Sequence, residues 1–213
     1  MSLAETLWRE NADLSRAALE HSFVRGLADG SLPREDFRYY VAQDAFYLES
    51  FARAYALALT HSRDRRGLVE FSALISGVVE ELRLHEGYAE RWGVDLSLTS
   101  PGDATLAYTQ FLLATAALGS VGETCAAMTP CMRLYAFLGQ SLAEEGVVGD
   151  NPYKEWAETY AAPDFEALAA GLETLLDHYA DDTSAVHGAY RRAMELELAF
   201  FEASSGTGEG ASR

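Results

Sequence analysis

The sequence predicts an all-helical protein, a single compact multi-helix bundle of about seven to nine helices. Apolar residues recur at helical spacing along most of the 213-residue chain, and no segment shows the alternation with period two that strands require. Glycine and proline residues fall between the apolar segments, where helices begin and end. No internal repeat and no long linker divides the chain. We therefore expect one domain over residues 1–203 and an unstructured tail over residues 204–213.

The predicted helices follow one another with short breaks. The first spans residues 3–19, and the next helical segment ends at Gly30, a residue suited to a C-cap. Ser31 is expected to be the N-cap of a long helix over residues 34–60, with Pro33 in the first turn. Further helices are predicted over residues 68–92, 103–118, 122–145, 151–160, 163–179 and 183–201.

The acidic composition limits the kinds of molecule that the protein is expected to bind. The chain carries 33 acidic against 16 basic residues, and its formal net charge of −17 disfavours nucleic acids and anionic membrane surfaces. No uncharged apolar run reaches the roughly 18 residues of a membrane-spanning helix, and the N-terminal residues lack the order of a signal peptide. We therefore expect a cytoplasmic protein whose ligands are small neutral or cationic molecules.

One acidic residue interrupts the aromatic part of the long helix. Tyr40, Asp44, Tyr47 and Phe51 are spaced by three or four residues and so share one helix face. A carboxylate among aromatic rings is unfavourable unless it has a partner. Asp44 is then hydrogen-bonded to a buried tyrosine or backbone group, solvated at a helix edge, or an acceptor for a cationic or NH-bearing ring.

Both cysteines lie on the helix predicted over residues 122–145. Cys125 and Cys131 are six residues apart and point to different helix faces, so we expect two reduced thiols. Pro130 removes one backbone hydrogen bond and distorts the preceding turn, which can present the thiol of Cys131 to a cavity. A buried cysteine is ordinarily a small apolar filler. That interpretation is favoured for Cys125 and stays open for Cys131.

The last helix carries three carboxyl groups, on Glu195, Glu197 and Glu202. Phe200 and Phe201 follow Glu197 by three and four residues and share its face. An apolar environment raises the pKa of a carboxyl toward neutrality, where it is suited to proton transfer. A solvated helix edge is the alternative, and it is favoured more for Glu195 and Glu202 than for Glu197.

The histidine pattern does not predict a metal centre. None of the five histidines follows a carboxylate by three residues, the spacing used in di-iron bundles. Glu81 and His85 are four residues apart, which more often produces a structural hydrogen bond. The sequence contains no glycine-rich phosphate loop and no Gly-x-Ser-x-Gly motif. We expect neither a metal nor a cofactor.

Several short motifs in chain order together resemble the TenA, or thiaminase II, family over residues 5–203. Gln43-Asp44 and Tyr47-Leu48 belong to the N-terminal part of the resemblance, Pro130-Cys131 resembles the cysteine helix of that family, and Leu196-Glu197 resembles its C-terminal acid. The other matching residues are His21-Ser22-Phe23, Leu27, Gly30-Ser31-Leu32, Phe37, Tyr40, Phe51, Tyr108-Thr109, Tyr135, Pro152-Tyr153, Trp156, Tyr160 and Phe200.

The resemblance implies a helical fold of the haem-oxygenase type without haem. It also implies hydrolysis of aminopyrimidines, in which hydroxyl replaces the side-chain amine of 4-amino-5-aminomethyl-2-methylpyrimidine, ammonia is released and the product feeds thiamin synthesis. Slower cleavage of thiamin itself is a second implied activity. Cys131 places the chain with the cysteine-bearing branch of the family.

The resemblance further implies a role for each candidate residue. Cys131 would be the nucleophile that adds to an electron-poor pyrimidine carbon, and Glu197 would donate and accept the proton of a ring nitrogen. Asp44 would accept a hydrogen bond from the 4-amino group. The ring would be bound by aromatic side chains, namely Tyr47, Tyr108, Tyr135, Tyr160 and Phe200.

Two other functions stay open on the same fold. A non-catalytic pyrimidine-binding or regulatory protein would need neither Cys131 nor Glu197, and a haem or quinone-cofactor protein is the third alternative. Departures from the family pattern at Phe201, Met132-Arg133 and Ala161-Ala162 bear on substrate preference. The resemblance implies a homotetramer, and the wide apolar stripes of the helices favour a homo-oligomer of some kind.

Overall fold

Helices account for all the regular structure in the computed structural model, which describes residues 1–146 and 150–206. These ranges contain no strand, so the all-α prediction is confirmed. Besides a 3-10 helix over Leu96–Leu98, they hold ten α-helices: α1 (Leu3–Glu10), α2 (Ala12–Glu20), α3 (Ser22–Asp29), α4 (Arg34–His61), α5 (Arg65–Arg91), α6 (Asp103–Leu118), α7 (Val121–Glu145), α8 (Lys154–Ala161), α9 (Pro163–Tyr179) and α10 (Ser184–Ala203).

The N-terminal segment contains one more helix than predicted, because the helix expected over residues 3–19 is divided at Asn11. The side-chain amide of Asn11 donates a hydrogen bond to the Leu7 carbonyl oxygen at 2.8 Å, and α1 ends there. At His21 the backbone is extended, and Nδ1 accepts from the backbone N–H of Phe23 at 3.2 Å, which caps α3. Such local bonds between side chain and backbone compete with a continuous helix.

The start of the long helix α4 differs from the prediction in one detail. Gly30 caps α3 in the left-handed conformation with φ of 79°, which glycine adopts without strain, so this prediction is confirmed. Ser31 is not the N-cap of α4, since the cap is Pro33 and the helix begins at Arg34. The backbone N–H of Ser31 instead donates to the Asp29 carboxylate at 2.9 Å.

The end of the described chain is tied to the bundle. Ser204 is buried, and the backbone N–H of Gly206 donates to the Asp36 carboxylate at 2.9 Å. The unstructured tail predicted from residue 204 onward otherwise lies outside the described residues, since 207–213 are not among them.

Two helices organise the packing. Helix α4 contacts α5, α6 and α7, and α7 contacts α8, α9 and α10 as well. The buried side chains form one apolar cluster that includes residues from all ten α-helices. None of the described helices combines the length and the apolar composition needed to cross a membrane.

Helices α7 and α8 approach each other closely at a glycine. A Cβ at Gly139 would lie 2.5 Å from the carbonyl carbon of Tyr160 and 2.6 Å from the backbone nitrogen of Ala161. Only a residue without a side chain permits this approach. Gly139 therefore sets the position of the α8 end that carries Tyr160.

Gly139→Ala should lower the free energy of unfolding by roughly 1–3 kcal/mol, because the added methyl group overpacks the α7–α8 contact. Gly87 on α5 is the matched control, since no atom lies within 4 Å of the position its Cβ would take. Gly87→Ala should stabilise by roughly 0.5–1 kcal/mol. Urea denaturation measures both effects, and an equal change in the two variants would contradict the close approach.

Candidate active site

A cavity of about 700 Å³ that is open to solvent is lined by residues from helices α4 to α10. Its wall includes every site residue that the sequence predicted, and those residues come from five different helices. They are Asp44 and Tyr47 on α4, Tyr108 on α6, Cys131 and Tyr135 on α7, Tyr160 on α8, and Glu197 and Phe200 on α10. The structure thus brings all eight together, while their roles stay predictions.

Glu197 is a buried acid with one strong hydrogen bond. Glu197 is only 2% exposed, and the hydroxyl of Tyr108 donates a hydrogen bond to its Oε1 at 2.7 Å. Burial raises the pKa of Glu197 to about 8; the Tyr108 hydrogen bond opposes this rise and the negative charge of Asp44 adds to it. The carboxyl is therefore mostly protonated at neutral pH. Glu195 and Glu202, by contrast, are solvated and pair with Arg192 and His21.

The two thiols occupy different environments. Cys131 is partly exposed and lies on the cavity wall, whereas Cys125 is 1% exposed within the core, as expected for an apolar filler. Burial, followed by the charge of Glu197, raises the pKa of Cys131 well above its ordinary value. The resting side chain is a thiol, so reaction as a nucleophile requires a base within the cavity.

Asp44 has no hydrogen bond from any described residue, which leaves its carboxylate open to a ligand. Its nearest charged neighbour is His85, whose Nδ1 lies 3.7 Å from Oδ2. The His85 Nε2 contacts the Val41 carbonyl oxygen at 2.8 Å, and because a carbonyl only accepts, Nε2 carries the proton. Burial raises the pKa of Asp44, and His85 opposes that rise. The hydrogen bond expected between Glu81 and His85 is absent from the described contacts, because His85 turns toward α4 instead.

Aromatic side chains form the cavity walls and are linked by hydrogen bonds. The indole N–H of Trp156 donates to the Tyr40 hydroxyl at 3.3 Å, which in turn donates to the Tyr135 hydroxyl at 3.3 Å. The Tyr135 and Tyr160 rings meet edge to face at 4.8 Å. The buried hydroxyl of Tyr47 interacts with the Cys131 thiol and the Tyr108 hydroxyl but makes no hydrogen bond of good geometry to a described residue, so it can bond to a ligand.

Gln43, the residue before Asp44, fixes the position of helix α4. The side-chain oxygen of Gln43 accepts from the backbone N–H of Gly102 at 2.8 Å and from the Thr105 hydroxyl at 2.6 Å. Its amide donates to the Ser100 carbonyl at 3.2 Å. Gln43 is buried and joins α4 to the start of α6, a positioning role that sequence reasoning missed.

The charged residues on the described cavity wall are all acidic. The acids on its wall outnumber all other charged residues, since no Lys, Arg or His is found on the described part of that wall. They are Asp44, Glu70, Glu80, Glu81, Asp164 and Glu197. No group of three or more potential metal ligands occurs among the described residues. Such a cavity favours a small ligand that bears NH donors or positive charge.

These features define a small-molecule site inside a helical bundle of the haem-oxygenase type. A solved domain from Shewanella denitrificans described as having a heme oxygenase-like fold matches with a TM-score of 0.75, at 13% identity over 94% of this chain and 90% of that chain. The sequence model of the TENA/THI-4/PQQC family matches residues 8–207. The chain belongs to this family, and the family predicted from its motifs is confirmed.

Two named relatives and one solved structure align with most of the chain. An aminopyrimidine aminohydrolase from Halalkalibacterium halodurans is 35% identical over 86% of this chain and 84% of its own length. The mitochondrial bifunctional TH2 protein of Arabidopsis thaliana is 36% identical over 85% of this chain, which spans only 34% of that protein. A TenA family transcription regulator from Silicibacter sp. TM1040 has a TM-score of 0.87 at 30% identity, over 95% of this chain and 96% of that one.

The raised pKa of Glu197 makes a prediction about stability. A carboxyl with a pKa of about 8 when folded and 4.5 when unfolded holds its proton more tightly in the folded state. Its contribution to stability is fully present below pH 4.5 and is lost as pH rises toward 8. Glu197→Gln cannot titrate at this position. As the pH rises from 4.5 to 8, the free energy of unfolding of the variant should therefore increase relative to that of wild type, by up to about 1.4 kcal/mol per pH unit.

Urea denaturation between these pH values measures the difference. Glu195→Gln is the control two residues earlier on α10, since its exposed carboxylate pairs with Arg192 at 3.3 Å. Curves for Glu197→Gln that run parallel to wild type would show that Glu197 does not hold a proton in the folded state.

Proposed function

We propose that this protein hydrolyses aminopyrimidines in thiamin salvage, converting 4-amino-5-aminomethyl-2-methylpyrimidine to the hydroxymethyl pyrimidine and ammonia, with thiamin as a second substrate. The observation that carries this proposal is the meeting of Cys131, Glu197 and Asp44 on one aromatic cavity wall. Membership of the family and the aminopyrimidine aminohydrolase from Halalkalibacterium halodurans support it.

The cavity suits an aminopyrimidine ring. Asp44 is an acceptor with no protein donor, so the 4-amino group of the ring can supply its hydrogen bonds. Tyr47 and Tyr108 lie with ring centroids 4.8 Å apart and form one wall, while Tyr135 and Tyr160 form another. A flat ring between such walls gains stacking and burial energy.

The reaction follows from the groups around the ring. The sulfur of Cys131 forms a bond to the ring carbon C6, and the thiol proton passes through Glu197 to a ring nitrogen. Electrons then return through the ring and expel ammonia from the methylene carbon. The ammonia leaves from the ammonium form of the amine, and the water that adds to the methylene carbon gives one proton to that ammonia. The carbon–sulfur bond then breaks, and the ring nitrogen returns its proton through Glu197 to the sulfur. The thiol is regenerated, and hydroxyl has replaced amine.

Glu197 suits both directions of proton transfer because its pKa of about 8 is close to neutrality. In the ionised form it accepts the proton of the Cys131 thiol, which burial keeps protonated at rest. In the acid form it protonates the ring nitrogen. The Tyr108 hydroxyl holds the carboxyl in place through its 2.7 Å hydrogen bond.

The test of the function is incubation of the purified protein with the aminomethyl pyrimidine and, separately, with thiamin. Release of ammonia from the first and of thiazole from the second is expected. Tight binding of either compound without turnover would instead support the second candidate, a non-catalytic pyrimidine-binding or regulatory protein. That candidate is favoured by the Silicibacter relative, whose description is a transcription regulator. The homotetramer and the cytoplasmic location stay predictions.

Cys131→Ser should reduce turnover to less than about 1% of wild type, because a hydroxyl is a far weaker nucleophile at neutral pH. The fold should be retained, since serine is similar in size and the site is partly exposed. Cys125→Ser is the matched control and should keep most of the activity. Steady-state ammonia release measures both, and substantial activity in Cys131→Ser would exclude the covalent route.

Asp44→Asn should weaken substrate binding by roughly 10- to 100-fold, the equivalent of losing one charge-assisted hydrogen bond of about 1.5–3 kcal/mol. The amide has the same shape, so α4 should be undisturbed. Calorimetric titration with the hydroxymethyl product measures the dissociation constant without turnover. An unchanged constant would remove Asp44 from the binding site.

A further inference from the structure

Glu81 on α5 is an acid of the cavity wall to which neither the sequence nor the proposed chemistry assigns a role. Glu81 is exposed to solvent and lies on the cavity wall. No described residue donates a hydrogen bond to it or forms an ion pair with it, whereas the adjacent Glu80 pairs with Arg83 at 3.0 Å. Glu81 is thus a carboxyl in a binding cavity without a counter-ion.

Glu81 lines the same cavity as Asp44 and Cys131, and its charge interacts with both. Burial and then the charge of Asp44 raise the pKa of Glu81 to about 7. The charge of Glu81 in turn contributes to the raised pKa values of Cys131 and Tyr160. Glu81 therefore lies close enough to influence both Asp44 on α4 and the thiol on α7.

The cavity wall near this residue includes two exposed glycines. Gly77, one turn before Glu81 on α5, and Gly171 on α9 both line the cavity, and no atom lies within 4 Å of the position a Cβ would take at either residue. The total volume of about 700 Å³ falls in the range of pockets for drug-sized ligands, so a single pyrimidine ring fills only part of it. Space remains for a group attached to the ring.

The geometry of the substrate determines where the substituent on ring carbon C5 points. This step rests on the proposed function. Ring carbon C5 lies between C4, which carries the amino group, and C6, which the sulfur attacks. With the amino group on Asp44 and C6 at Cys131, the C5 substituent projects into the space between these two residues. Glu81 is the one acid of the described wall, besides Asp44 and Glu197, whose charge reaches the thiol.

We propose that Glu81 is a specificity-determining residue that binds the positively charged nitrogen on the exocyclic methylene group. Substrates that carry charge at this nitrogen, such as a primary ammonium or a thiazolium, are then preferred over substrates in which it is neutral. The absence of any basic residue from the described cavity wall leaves the substrate as the counter-ion for Glu81.

The experiment compares two substrates that differ in charge at that nitrogen. These are the aminomethyl pyrimidine, which is an ammonium, and its N-formyl derivative, which is a neutral amide. Values of kcat/KM are measured for wild type, Glu81→Gln and Glu81→Asp at about pH 8, where a carboxyl with a pKa of about 7 is mostly ionised. Glu86→Gln, an exposed position on α5 outside the cavity wall, is the matched control.

Glu81→Gln should lower kcat/KM for the ammonium substrate on the order of 10-fold and change it little for the neutral amide. Glu81→Asp should restore most of the preference because it restores the charge, and Glu86→Gln should change neither substrate. Equal losses on both substrates would show that Glu81 only maintains structure, and no loss on either would show that it contacts no substituent.

A failure of the proposed function gives a different result. Wild type would then turn over neither compound, and the same variants are compared by calorimetric binding of the two pyrimidines. A preference of wild type for the charged ligand that Glu81→Gln removes would still support the binding role. Equal affinity of wild type for both ligands would overturn it.

Discussion

Asp44, Glu81 and Glu197 are three of the six acids on a cavity wall whose described part has no basic residue, and this constraint sets the electrostatics of the candidate site. Burial raises the pKa of Glu197 to about 8 and of Glu81 to about 7, and it raises that of Asp44 as well. Glu197 therefore mostly holds its proton at neutral pH, Glu81 is about half ionised, and Cys131 remains a thiol. A ligand with NH donors or positive charge supplies what the protein lacks, so binding itself brings the site toward its reactive ionisation state.

The fold holds these groups by contacts made outside the cavity. Gln43 fixes α4 to the start of α6 through three hydrogen bonds, and this places Asp44 on the cavity wall. Gly139 allows α8 to approach α7, so that Tyr160 reaches the opposite wall. The Tyr108 hydrogen bond to Glu197 joins α6 to α10. The positions of the reacting atoms thus depend on helix packing rather than on loops, which favours a preorganised site.

Much of the helical architecture was predictable, because long apolar segments bounded by glycine and proline leave few alternatives. Gly30 ends a helix as predicted, since its φ of 79° suits glycine. The break at Asn11 was not predicted, because it depends on a side chain that bonds to nearby backbone rather than on periodicity. Ser31 was misassigned as a cap for the related reason that Pro33 already provides an extended residue before α4.

The sequence by itself determined which residues belong to the candidate site: Asp44 among aromatic residues, Cys131 after a proline, and Glu197 before two phenylalanines all line the same cavity. It could not determine what faces each residue, because helical periodicity describes one helix and not the helix opposite. Only the tertiary structure turned His85 toward α4, away from its neighbour four residues earlier. Only the packing of α5 against α4 brought Glu81 into the cavity, since burial and the charge of Asp44 come from residues distant in the chain.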